Sequence, residues 1–202
     1  MRNKIILAMA AAGMMCASSA FADSIPTSDA GGGTMTFTGS VINAPCSIAP
    51  DTQNINVDLG QVSKGQLSTT GALSDPQKIT IHLTGCSFED LTGESNLNAT
   101  NYSKVAVSFT NVTPPHDVAL TAGQLANTAA VSPATNVAVQ LQKGDASTAI
   151  DLSKSPEAAD GIQLDTSSKD NDLILYARMV AIGGPATVGN VSATATYKLK
   201  YF

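Results

Sequence analysis

"GGGTMTFTGSVINAPC", residues 31–46, sets how the rest of the chain is read. Met35, Phe37 and Val41 alternate with Thr34, Thr36, Thr38 and Ser40, and Gly39 takes the inward slot where a fourth apolar side chain would stand. A period of two describes a strand with one buried face. Gly31, Gly32 and Gly33 stand before it, where a tight domain would begin with something stiffer. The question is whether this strand packs into its own chain or fills another.

Upstream, Met1 to Lys4 carries Arg2 and Lys4, Ile5 to Met15 is an apolar run, and Ala20-Phe21-Ala22 has the A-x-A form of a cleavage site. Residues 1–22 therefore read as a secretory signal peptide, too short and wrongly flanked for a membrane span. Cys16 follows Met15, where a lipid-attachment site needs a small residue, so it is expected to be cut away with the leader. Cleavage after Ala22 leaves 180 residues, enough for one domain with a sizeable core. Losing Arg2 and Lys4 leaves nine basic residues against sixteen acidic ones, a net charge near −7. So acidic a chain makes a poor partner for nucleic acid or an anionic membrane. No second apolar stretch approaches transmembrane length, so the exported protein is expected not to be membrane-embedded.

Two cysteines remain, Cys46 and Cys86, and in an exported protein two cysteines most simply make one disulfide. Closing a loop of that size stabilises a fold by roughly 4 kcal/mol on a chain-entropy model. The CxxC or CxxH spacing of a zinc site is absent.

Downstream the short alternating segment recurs: "NINVDLG" (54–60), "KITIHLTGC" (78–86), "KVAVSFTNV" (104–112), "NVAVQLQKG" (136–144), "LILYARMVAI" (173–182) and "GNVSATATYKLKYF" (189–202). Turn-rich pieces such as "TPPHD" and "SSKDND" separate them, and only "TAGQLANTAA" (121–130) suggests a short turn of helix. Many short strands with turn signals between them predict an all-β sandwich or barrel.

The search for chemistry yields little. His82 is in phase with Lys78 and Thr80, opposite Ile79, Ile81 and Leu83, and is expected to face solvent; His116 follows Pro114-Pro115 in a turn. Neither has a nucleophile in a recognisable motif. Asp165, Asp170 and Asp172 cluster without calcium-loop spacing and read as a solvated turn. Asn98, Asn101, Asn111 and Asn190 each satisfy N-x-[ST], a pattern frequent by chance in such a composition. No phosphate-cradling loop leads into a helix. The expectation is a protein that is not an enzyme and needs no cofactor or metal.

The two ends carry more. The last segment places Val191, Ala193, Ala195, Tyr197, Leu199 and Tyr201 in strict alternation up to Phe202, and a strand kept in phase that far implies a docked end. The alternating N-terminal strand with its glycine, Cys46 and Cys86, the penultimate Tyr201, and Gly189 as the fourteenth residue from the end together resemble a chaperone–usher fimbrial pilin. "GSVINAPCSI" is similar to the matching stretch in subunits of type-1 and P pilus rods.

The resemblance implies an immunoglobulin-like sandwich that lacks its final strand and is completed by a donor strand from a neighbouring subunit. It implies a signal peptide over 1–22, an N-terminal extension with the donor strand over 23–43, and the pilin domain over 44–202. Gly33, Met35, Phe37, Gly39 and Val41 would fill five successive groove pockets of a neighbour. Gly189, Val191, Ala193, Ala195, Tyr197, Leu199, Tyr201 and Phe202 would edge the acceptor groove and meet the chaperone. The implied partners are other pilin subunits in a homopolymer, a periplasmic chaperone and an outer-membrane usher, with a host receptor as a further candidate. The implied location is a surface fimbrium reached through the periplasm. A structural subunit, the main one of a shaft, is the expected function. The alternatives are a minor adaptor or single-domain adhesin, or a self-contained periplasmic β-sandwich binding module or hydrolase.

Overall fold

The computed structural model describes residues 33–88 and 102–202. The expected signal peptide and the first part of the extension lie outside the described residues, as do residues 89–101. The chain divides into two compact units, Met1–Val41 and Ile42–Phe202.

Within the first unit, Gly33–Val41 belongs to no ladder, contrary to the strand expected for Met35 to Val41. Alternation marks a face that can be buried, whereas a strand also needs a partner for its backbone. Met35, Phe37 and Val41 are exposed.

The second unit holds two antiparallel sheets. Its elements are β1 (Ser47–Ile48), β2 (Gln77–Thr84), β3 (Lys104–Thr110), β4 (Gln124–Ala126), β5 (Val137–Gln142), β6 (Ile162–Gln163), β7 (Asn171–Ala181) and β8 (Thr196–Tyr201), with three short 3-10 turns and no α-helix among the described residues. One sheet runs β1-β2-β7-β5-β4 and the other β6-β3-β8. Alternation sets the register. Ile79 and Ile81 stand opposite Leu175 and Leu173 on β7, and Leu141 stands opposite Ala177. In the second sheet Val105 and Val107 stand opposite Tyr201 and Leu199. The inward side chains of both sheets form one buried cluster that includes Ile81, Leu83, Val105, Leu141, Leu173 and Leu175. Burial of this kind stabilises by about 25 cal/mol per Å² of apolar surface.

Four of the expected strands lie where β2, β3, β5 and β7 form. Residues 54–60 belong to no strand, and of 189–202 only β8 is paired as a strand. The expected helical turn at 121–130 shrinks to a 3-10 turn at Leu120–Ala122 followed by β4, whose Leu125 pairs with Val139 of β5. A sheet edge in need of a partner overrides a weak local helix signal there. His82 is half-exposed, with Nδ1 2.6 Å from Asp172 across the β2–β7 ladder. His116 lies in an exposed turn, 2.7 Å from Asp117. Asp165 accepts from the backbone and hydroxyl of Ser167, a local turn lock that holds its carboxyl below the usual range.

Cys46 and Cys86 are joined by a disulfide across 40 residues, both buried. Ser87 N–H donates to Pro45 carbonyl at 2.8 Å beside it, so the bond ties the start of the unit to the end of β2. Reducing this disulfide is expected to lower unfolding free energy by about 2–5 kcal/mol. Urea denaturation with and without reductant measures it; an unchanged midpoint would show that the two chain segments are held by packing alone.

Candidate functional site: a groove between two unpaired edges

The segments that fail to form strands are the two walls of one open groove. Its volume is about 1430 Å³. One wall is Gln53–Lys64 and the other Val188–Tyr197, while Ile81, Leu125, Val139, Leu141 and Leu175 lie on its floor. Ile55, Val57 and Leu59 on the first wall alternate, half-buried, with exposed Asn54, Asn56 and Asp58. On the second wall Val191, Ala193, Ala195 and Tyr197 do the same against exposed Asn190, Ser192, Thr194 and Thr196. Both walls are extended chains whose apolar side chains point into the core and whose backbones lack a strand between them.

Hydrogen bonds of the second wall locate the vacancy in its ladder. Asn190 N–H donates to Ser132 carbonyl at 2.8 Å, and Asn190 carbonyl accepts from Ala134 N–H at 2.9 Å. Ser192 N–H donates to Asn127 Oδ1 at 2.9 Å, and its carbonyl accepts from Thr128 N–H at 2.8 Å. The even residues thus bond away from the groove. Successive backbone groups of an extended chain face opposite sides, so Val191, Ala193 and Ala195 aim theirs at the groove. Among the described residues none of these three makes a backbone hydrogen bond. Across the groove, residues 54–62 of the first wall are equally bare, with one local bond from Gly60 N–H to Asp58 Oδ1. A row of unpaired donors and acceptors beside an apolar floor is a template for an added strand.

Tyr197 closes one end. Its hydroxyl donates to Thr52 carbonyl at 2.6 Å, linking the second wall to the turn at the root of the first. Gly189 stands near the other end. A Cβ there would lie 2.4 Å from Ala134 N and 2.6 Å from Ser132 O, so only glycine lets the wall approach the 132–134 backbone closely enough to form the bonds of Asn190. Beyond the groove, Leu199 and Tyr201 pair with β3. Phe202 carbonyl accepts from Ser103 and Lys104 N–H, and Lys200 Nζ lies 5.0 Å from the Phe202 ring. The residues expected to edge a groove therefore split. Gly189 to Tyr197 line it, whereas Leu199, Tyr201 and Phe202 anchor its wall. Sequence alone does not assign the first wall to a site. Its signal, the alternation of 54–60, was present but is the same for a paired strand. Gly33, Met35, Phe37, Gly39 and Val41 lie in the first unit, and a Cβ at Gly39 would meet nothing within 4 Å.

A family model for fimbrial protein matches residues 35–202. The chain belongs to the fimbrial protein family. It is 32% identical over 169 residues to the F17 fimbrial protein of Escherichia coli, covering 84% of this chain and 87% of that one. It is 32% identical over 202 residues to the major MR/P fimbria protein of Proteus mirabilis, covering 98% of each. Among solved structures, a chain of a chaperone–usher pilus superposes with a TM-score of 0.64 at 26% identity, covering 88% of this chain and 100% of the other. The two sheets of this fimbrial protein are accordingly the immunoglobulin-like sandwich of chaperone–usher pilins.

Two outcomes test the wall. Gly189→Ala should cost about 1–3 kcal/mol through overpacking, read as a lower urea midpoint; equal stability would show that the 132–134 backbone yields freely. Burial also pushes the Tyr201 phenol up to about 12 and raises Tyr197 above the ordinary tyrosine value. The unfolded chain loses those protons first, so their contribution is complete below about pH 10. It is lost as pH climbs towards about 12. Stability should therefore fall through that window, and Tyr201→Phe should flatten the fall. A slope that Tyr201→Phe leaves unchanged would assign the alkaline loss to other groups.

Proposed function

We propose that the chain is a structural subunit of a chaperone–usher fimbria, the main shaft subunit, polymerised by strand donation and without a catalytic role. The groove with unpaired backbone on both walls is the observation that carries this reading. An extended apolar segment laid between the walls would satisfy both rows of backbone groups and cover the floor. Main-chain hydrogen bonds would supply affinity and alternate side chains register.

The occupant in the fibre is residues 33–41 of the next subunit. Gly33, Met35, Phe37, Gly39 and Val41 face the floor, and Met35 and Phe37 each contribute about 1.5–3 kcal/mol when fully buried. On this reading residues 1–22 are a signal peptide, 23–43 the donor extension and 44–202 the acceptor domain. A periplasmic chaperone covers the groove until an outer-membrane usher exchanges it for the incoming extension, and the product is a surface fimbrium. The relatives named as major fimbrial proteins favour the shaft position.

Electrophoresis in detergent without boiling tests the reading. The full-length periplasmic protein should run as a ladder, and a form lacking residues 23–41 should be monomeric or survive only with a chaperone. Gly39→Leu should leave the monomer's stability unchanged, because nothing in its own chain crowds that position, yet abolish the ladder. Stable monomers from the unaltered chain would remove strand donation and turn the search towards a ligand for the groove.

A further inference from the structure

The sulfur chemistry of the chain converges on one atom. The sequence has six methionines and no tryptophan, and Met1, Met9, Met14, Met15 and Cys16 fall within the expected signal peptide. Cys46 and Cys86 share a disulfide, so neither offers a thiol. Two thioethers remain, in opposite surroundings. Met179 is 8% exposed and belongs to a buried cluster with Leu67, Val137 and Ala186, whereas Met35 is 81% exposed. A thioether is oxidised by direct encounter with the oxidant, so exposure decides which one reacts first. Met35 is that one.

We propose that Met35 is a modification site, at which hydrogen peroxide converts the thioether to a sulfoxide and withdraws the subunit from assembly. This inference rests on the donor-strand reading above. A sulfur lone pair attacks one peroxide oxygen, the O–O bond breaks, and an S–O bond forms. The proton of the transferred hydroxyl goes to the departing hydroxide, which leaves as water. Sulfur is oxidised and the peroxide reduced, with no further reactant needed.

The sulfoxide oxygen is a strong acceptor, and the groove has no side-chain donor to meet it. Ile81, Leu125, Val139, Leu141 and Leu175 give the floor a hydrocarbon surface. The half-buried side chains of the walls, Ile55, Val57 and Leu59 on one and Val191, Ala193 and Ala195 on the other, are hydrocarbon too. The Tyr197 hydroxyl is already committed to Thr52 carbonyl. Wall N–H groups that face the groove are the ones a donor backbone would take. Burying an acceptor without a partner is costly, so the oxidised segment is a poor occupant. Phe37 and Val41 are inert to peroxide, and Gly33 and Gly39 have no side chain to change. On the same reading a chaperone covers the groove but not the extension, so Met35 stays open in a waiting subunit and is shielded in the fibre. Methionine sulfoxide is reduced enzymatically, which makes the withdrawal reversible.

Mass spectrometry and unboiled electrophoresis test the site on the full chain. Unassembled subunit and ladder, separated by gel filtration, are each treated with hydrogen peroxide and digested. The Met35 peptide should gain one oxygen in the subunit and stay unmodified in the ladder, with Met179 unmodified in both. Treated subunit should form its ladder about tenfold or more slowly, the order expected when a buried acceptor is left unpartnered. The two methionine sulfoxide reductases, one for each sulfoxide epimer, should restore the rate. Met35→Leu, measured against its own untreated sample, should lose the sensitivity to peroxide. Equal oxidation of Met35 and Met179 in the subunit overturns the site. Undiminished assembly of sulfoxide-bearing subunit, or a loss that Met35→Leu shares, overturns its effect on assembly; strand donation survives all three results. Oxidation of Met35 in the ladder at the subunit's rate takes this side chain out of the groove and overturns the inference. Absence of any ladder from the untreated chain overturns the donor-strand reading, and this inference with it.

Discussion

The backbone groups of Val191, Ala193 and Ala195 face a groove with no partner across it, and the architecture around them follows from that vacancy. Buried peptide groups must be paired, so an unpaired row can persist only where water reaches it. The groove is accordingly open. Its floor, however, is made of Ile81, Val139, Leu141 and Leu175, side chains that belong in a dry core. The wall thus satisfies water while the floor does not. One occupant resolves both demands, a segment that presents backbone to the edges and apolar side chains to the floor.

Holding such a groove open requires rigidity elsewhere. The second wall is fastened along its far side, through Asn190 and Ser192 to residues 127–134 and through β8 to β3. Gly189 permits the first fastening, because any side chain there would strike backbone. Tyr197 ties the wall to Thr52 and fixes the width at that end. The disulfide secures the chain as it enters the domain, against the segment that follows β2. None of these contacts fills the groove. They keep two edges at a distance at which hydrophobic collapse would otherwise bring them together.

Much of this was legible in the sequence, and the failures are informative. β2, β3, β5 and β7 declared themselves because their alternation coincides with pairing on both sides or on one buried face. Residues 54–60 and 189–195 alternate just as cleanly, yet form no ladder. Alternation reports which side chains are buried; it cannot report whether a neighbouring strand exists, since that neighbour is not local. β1 and β6 are two residues long and leave no periodic trace. β4 lay inside an alanine-rich stretch that suggested helix, and pairing with β5 decided otherwise. Gly189 was noticed by its distance from the end, but the 132–134 backbone that demands it is fifty-odd residues away.

A self-contained sandwich has little reason for the volume pattern of the second wall. Positions 193 and 195 face an apolar floor, where Val or Ile would bury more surface and suit a strand better than alanine. Small residues there make sense if the missing volume arrives from elsewhere. In the proposed fibre that volume comes from Phe37 and Met35 of a neighbouring subunit. Each pattern looks like a poor choice within its own segment: an alanine-rich wall and a glycine-interrupted strand with exposed aromatic and thioether groups. On the proposed donor-strand reading, the two ends of this chain complete one another only between two molecules.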